Sequence, residues 1–296
     1  MPQGHPHALF IAARTYSSWS LRGWLMFETF GLPVKTHMVD LYGGNLAEEL
    51  AGHGLAPARL VPVLRSPEGH VLGETLAMAE HLAGYFPEAG LWPADPGARM
   101  AARWLVSEMH AGFAALRSAC PMQLLCQYQG FEASDTVAAD LARLDQLFAY
   151  AETQRSAEGP WIFGDWSLAD CFYAPVAMRI AGYGLTVSPR LAAYTRAMLA
   201  HPAIRRWRAL ALIETFAHDP YAMDLPRGPW PGPAPLPARA VSQGTPVNDA
   251  CPFSGQPVTD LAEIDGTTVG FCNPTCRDKS VNDAEAWPSV MALIAR

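Results

Sequence analysis

The sequence predicts a small mixed α/β domain, then an all-helical domain, then a small cysteine-containing appendage. Three observations carry this. Strand and helix signals alternate up to about Pro87, and from Ala94 to Ala217 apolar residues recur only at helical spacing. A proline-rich stretch from Asp219 to Pro246 then separates everything before it from the last 50 residues. The expected boundaries are 1–88, 94–218, a connector at 219–246 and a tail at 247–296. A chain of 296 residues, set against ~150 per domain, fits two domains and an appendage.

His7 to Ala13 is a short apolar run that suits a buried strand. A helix follows through WSLRGWLMFETF, with Ser17 and Ser18 as N-cap types and Gly31 with Pro33 as its stop. Val34 to Asp40 alternates apolar and polar residues as a half-buried strand should. LVPVL (60–64) reads as another strand, and its Pro62 marks a strand start, an edge or a cis peptide. A short strand near 71 and a helix from about Glu74 to Tyr85 close this domain. In the helical part, 98–119 reads as one helix of more than five turns, and Ser134 or Asp135 caps a second. In GDWSLADCFYAPVAMRIAGYG, Ser167 and Asp170 form a capping box, with Trp166 and Cys171 at the positions of a hydrophobic staple. Two more helices are expected near 189–200 and 202–217.

With 28 acidic and 21 basic side chains the formal charge is −7, and no basic block is present. That balance argues against nucleic acid or an anionic membrane as partner. No apolar run approaches the ~20 residues of a spanning helix, and the N-terminus lacks the basic start of a signal peptide. A cytoplasmic globular protein is expected, whose six cysteines are thiols or metal ligands before disulfides.

A serine pair between a strand and a helix start is a candidate thiolate site. Backbone N–H groups and the positive helix end converge there, and a hydroxyl adds a charge-assisted hydrogen bond. The alternative for Ser17 is plain N-capping. A cis Pro62 would leave the Val61 backbone open to an extended peptide ligand; the alternative is an edge proline without one. Glu74 and Thr75, at another helix start, offer a carboxylate to an ammonium and N–H and hydroxyl groups to a carboxylate; the alternative is capping alone.

Over about residues 7–217 the chain resembles the cytosolic glutathione transferases. The resemblance rests on YSSWSLR (16–22), LVPVL (60–64), ETLAM (74–78) and GDWSLAD (164–170), in order and at the family's spacing. The serine motif is most similar to the zeta-type and related bacterial subgroups. The resemblance implies a thioredoxin-like first domain with Pro62 cis, and Ser17 as activator of the glutathione thiol with Ser18 beside it. It implies Glu74 and Thr75 on the γ-glutamyl end, Val61 on the cysteinyl backbone, and a homodimer. The implied activity is attack of glutathione thiolate on a small electrophile, with glutathione as co-substrate. Zeta-type enzymes that isomerise maleylacetoacetate carry cysteine where this chain has Trp19, so isomerisation stands second. Leu60 stands where relatives often have lysine; either Arg59 substitutes for it or that glutathione contact is missing. A non-conjugating binding or sensing scaffold is the reading from another class.

His110 and Arg117 lie seven positions apart, two turns along one expected helix, and are candidates for the electrophile's pocket; a solvated polar pair is the alternative. In the tail, Cys251, Cys272 and Cys276 approach the spacing of small zinc folds and resemble a degenerate treble-clef or YHS-like module. Ser254 occupies the fourth ligand position and no histidine is present, so water, Ser254 or Asp278 would complete a zinc site. The alternative is a metal-free knuckle packed on Phe253, Val269, Phe271 and Trp287.

Overall fold

The computed structural model describes residues 6–155, 157–214 and 217–294. The chain opens β1 (His7–Ile11), α1 (Ser18–Glu28), β2 (Val34–Met38), α2 (Leu46–Gly52), β3 (Val63–Arg65), β4 (Val71–Leu72) and α3 (Thr75–Tyr85). These build a four-stranded sheet of order β2-β1-β3-β4, with β1 parallel to β2 and antiparallel to β3, which is antiparallel to β4. Every residue of β1 is buried, so both sheet faces are covered. Ala8 and Phe10 join Leu50, Leu55 and Val63 on one face, and Leu9 and Ile11 are buried on the other. The mixed α/β first domain is therefore observed, with a thioredoxin-like order of elements. The first strand ends at Ile11, two residues early, because Ala13 turns the backbone to positive φ. Pro62 is cis and lies just ahead of β3 rather than inside a strand.

The helical part contains α4 (Pro96–Ala111), α5 (Ala114–Ala119), β5 (Gln127–Tyr128), α6 (Asp135–Gln154), α7 (Leu168–Gly182) and α8 (Pro189–Ala200). Ser134 caps α6, and the Ser167–Asp170 capping box of α7 is formed. Asp170 accepts from the backbone N–H of Ile162 (3.1 Å) and Ser167 (2.9 Å) and from the Ser167 hydroxyl (3.3 Å). Every residue of α7 is buried, as befits a central helix packed by α1 and α4. The single helix expected over 98–119 is two helices. Gly112 leaves helical geometry and Phe113 adopts left-handed φ, +58°, so α4 stops and α5 starts in a new direction.

The connector at 219–246 needs correction. Residues 218–231 belong to the same compact unit as residues 1–198, and β6 (Arg227–Gly228) pairs antiparallel with β5. The second unit joins 199–217 to 232–296, so the helical domain does not run intact to 218. It contains α9 (Pro202–Ala211), β7 (Ala238–Val241), β8 (Asp260–Ile264), β9 (Thr267–Phe271), α10 (Pro274–Asn282) and α11 (Pro288–Ile294). The three strands form an antiparallel sheet in order, with β7 drawn from the supposed connector. α9 is shorter than expected and packs on α10, where Arg205 pairs with Asp283 (2.7 Å) and Glu285 (2.9 Å). The tail core includes Cys251, Ile264, Val269, Phe271 and Val290, with Phe253 and Trp287 against it.

Candidate functional site

A cavity of about 750 Å³ in the first unit gathers residues from both of its parts. The thioredoxin-like part supplies Ser17, Ser18, Trp19, Leu60, Val61 and Glu74; the helical part supplies Arg117, Met122 and Arg179. The 218–231 segment adds Tyr221. A second hollow of about 430 Å³, near Asp145 and Ser188, contains none of the motif residues.

Local chemistry explains most of this placement. Ser17 is the N-cap of α1: its Oγ accepts from the Ser20 backbone N–H (3.2 Å) and donates to Ser20 Oγ (2.8 Å). Ser18 is buried, and its Oγ accepts from Arg179 Nη2 at 3.0 Å. The two hydroxyls are thus in different states. Ser17 spends its proton on the Ser20 hydroxyl, whereas among the described residues no acceptor takes that of Ser18. Gly23 lets α1 lie close on Pro62, since a Cβ there would stand 2.9 Å from the proline ring. The cis bond leaves Val61 on the cavity wall while Pro62 is not among the lining residues. Glu74 is the N-cap residue of α3 without capping it by side chain; its carboxylate meets His110 Nε2 at 3.3 Å and is 67 % exposed. Thr75 is buried behind it, its hydroxyl without a partner and off the cavity lining.

His110 and Arg117 do not share a helix face, because the break at Gly112 puts them on α4 and α5. Arg117 lines the cavity; His110 does not, and instead holds Glu74. Burial, then Arg22, keeps His110 below the ordinary imidazole range, against the pull of Glu74. Trp19 stands between two cations: the Arg22 and Arg117 guanidinium carbons are each 4.6 Å from its ring centroid.

Arg22 and Arg179 were not expected at the site. Both are buried, at 0 % and 4 % exposure. Burial, together with neighbouring guanidinium groups, brings Arg22 down to about 9 and Arg179 to about 10. A charge inside the apolar run APVAMRIAGYG was the available signal for Arg179. Tyr42 and Tyr221 were also missed. Tyr42 stacks on His218 with centroids 4.1 Å apart, and Tyr221 meets His218 edge-on at 4.5 Å.

In the tail, the Sγ atoms of Cys251, Cys272 and Cys276 lie within 4.8 Å of one another. Ser254 Oγ donates to Cys272 Sγ at 3.2 Å, as does Asn273 Nδ2. Burial pushes the Cys251 thiol up, but N–H groups of Phe253, Cys272 and Ser254 outweigh it and bring it to about 6. Asp278 is not in the cluster; it pairs with Arg277 Nε at 2.7 Å.

Residues 16–84 match the family described as glutathione S-transferase, N-terminal domain. The fold is that of the glutathione transferases. A glutathione transferase homolog from Burkholderia, solved with bound glutathione, superposes with a TM-score of 0.51 at 23% identity, covering 71% of this chain and 99% of that one. Glutathione transferase Omega 3C from Trametes versicolor gives 0.52 at 19% identity, over 69% and 88% of the two chains. By sequence, the maleylacetoacetate isomerase of Pseudomonas aeruginosa is 27% identical over 208 residues, 67% of this chain and 93% of that protein. In this fold the serine pair, Val61 and Glu74 come from the thioredoxin-like domain, and Arg117 and Arg179 from the helical domain. Among the described residues no helix is long and apolar enough to cross a membrane.

Proposed function

We propose that this chain binds glutathione in the 750 Å³ cavity and joins its sulfur to a small electrophile. The observation that carries this is the convergence of the serine pair, the Val61 backbone and Glu74 on one cavity, as a γ-glutamyl peptide with a central thiol requires. Val61 pairs with the cysteinyl backbone, and Glu74 takes the γ-glutamyl ammonium with Thr75 behind it. The thiolate's electron pair forms the new sulfur–carbon bond, and the leaving group departs with its own pair. The protein contributes position and a stabilised thiolate.

Ser17, at the start of α1, is the first reading for the sulfur's donor. Ser18 is the second, favoured by its bond from Arg179, which fixes the oxygen and leaves the proton for sulfur. Conjugation of a generic aryl halide by Ser17→Ala and Ser18→Ala separates them. The residue that matters should lose ~10²-fold in kcat/KM, the scale for one hydrogen bond to a developing anion. Full activity in both variants would remove the mechanism, and retention on immobilised glutathione without turnover would leave a binding scaffold. Isomerisation of maleylacetoacetate, the activity named for the Pseudomonas relative, is the other enzymatic reading, and Trp19 in place of cysteine stands against it. A homodimer belongs to the same reading; light scattering at the mass of one chain would remove it.

The tail is proposed to hold a thiophilic divalent ion such as zinc. Three thiols in one cluster fit a zinc site, whose sulfurs lie ~2.3 Å from the metal. Ser254 or water supplies the fourth position. Protein grown with zinc should carry up to one ion per chain, and Cys272→Ser should lose it; a metal-free chain with a protease-resistant tail would mean apolar packing alone.

A further inference from the structure

Among the described residues, seven arginines elsewhere face carboxylates: Arg103, Arg143, Arg155, Arg190, Arg205, Arg239 and Arg277. Even Arg239, 68% exposed, has Glu263 at 2.9 Å. Arg22, Arg117 and Arg179 have none among the described residues, although two of them are buried and losing water makes pairing matter most. Arg22 Nε and Nη1 and Arg179 Nε are buried without a hydrogen-bond partner. The groups that act on Arg179 from the acidic side are Cys120, Tyr183 and Tyr221. Burial pushes the Cys120 thiol to about 12 and Tyr183 higher, so both are neutral at pH 7. Among the residues lining the cavity Glu74 is the one carboxylate, and His110 engages it. Arg117 and Arg179 on the helical side of the cavity, and Arg22 on α1 behind them, therefore have no fixed anion to answer them among the described residues.

We propose that the electrophile taken by this cavity is itself an anion, a small carboxylate-bearing molecule received by Arg117 and Arg179, with Arg22 behind them. This deepens, and rests on, the proposed conjugation. Arg117 lines the cavity with one bond to the Gly112 carbonyl (3.2 Å), which leaves its other N–H groups for a ligand oxygen. Arg179 lines it too, and also holds Ser18, so the carboxylate would sit close to the sulfur. A low-dielectric wall focuses the potential of all three guanidinium groups on that spot. Arg22, off the lining, adds charge and fixes the Trp19 ring without touching the ligand.

Calorimetry with three ligands tests this on the full chain: glutathione, S-(4-carboxy-2-nitrophenyl)glutathione and the matching 4-carboxamide. The acid conjugate should bind at least tenfold more tightly than the amide. Arg117→Gln should shrink that preference below threefold, and Arg117→Lys should keep part of it, since the charge remains. Arg117 is half-buried near the end of a short helix, so its replacement leaves the core intact. Equal affinity for the two conjugates overturns the inference while glutathione binding upholds the proposed function. A loss in Arg117→Gln that falls equally on glutathione itself also overturns it, because the arginines would then serve glutathione's own carboxylates. Failure to bind glutathione at all removes both.

Discussion

On the thioredoxin-like side of the cavity, Ser17, Ser18 and Glu74 stand at helix starts and Val61 just ahead of a strand. On the helical side, Arg117 and Arg179 project from within α5 and α7. The first kind of placement uses backbone ends, where N–H groups and cap geometry fix a side chain within a residue or two. The second kind depends on how whole helices break and pack, so a distant change in the helix can move the cation. The two sides should therefore respond differently to substitution: the first by losing ligand, the second by losing stability.

The largest effect is expected at Asp170, which seats the start of α7 and with it Arg179. Asp170→Ala strips two buried N–H groups of their acceptor and should cost about 3–4 kcal/mol in a denaturant melt. Glutathione affinity per folded molecule should hold within about twofold. An affinity loss without a stability loss would break the comparison. Next comes Gly112→Ala, whose added Cβ would stand 2.8 Å from the Glu108 carbonyl oxygen. It should cost about 2 kcal/mol of stability and, by turning α5, weaken the acid conjugate more than glutathione. The smallest is Glu74→Ala. Exposure screens this carboxylate, so glutathione binding should weaken by about 1 kcal/mol, with stability within about 0.5 kcal/mol of the parent. Unchanged calorimetric affinity would take Glu74 out of the site.

The same contrast explains what the sequence made legible. The strands and helices to Tyr85 other than α2, the cap at Ser17 and the capping box at Ser167 follow from local residue chemistry, and the structure has them. α2 (Leu46–Gly52) lies in a stretch whose glycines read as a loop, and the cis bond at Pro62, one of several local readings, was singled out by the family resemblance. The break at Gly112 was hidden because apolar spacing continues across it, with Met109, Phe113 and Leu116 all buried. Periodicity reports which residues face a core and is blind to a change in helix direction between them. That blindness misplaced His110. Arg22 sits within YSSWSLR, yet nothing local tells a buried arginine from one that snorkels to water. Proline density suggested an extended polyproline-type connector at 219–246, but two-residue β6 and four-residue β7 need only brief freedom from proline to pair.

The interleaving of the two units along the chain has a consequence for synthesis. The path runs from the first unit to the second at residue 199, back at 218 and out again at 232. Tyr221 and the strand that pairs with β5 are thus made after α9. On the ribosome the cavity lacks part of its lining until Tyr221 has emerged, and α9 waits still longer for the residues near 283 that hold it. A stop codon between 218 and 221 would delete cavity wall along with the tail, and one before 227 would also remove the strand that pairs with β5, so the cysteine module is not an accessory that a shortened transcript sheds cleanly.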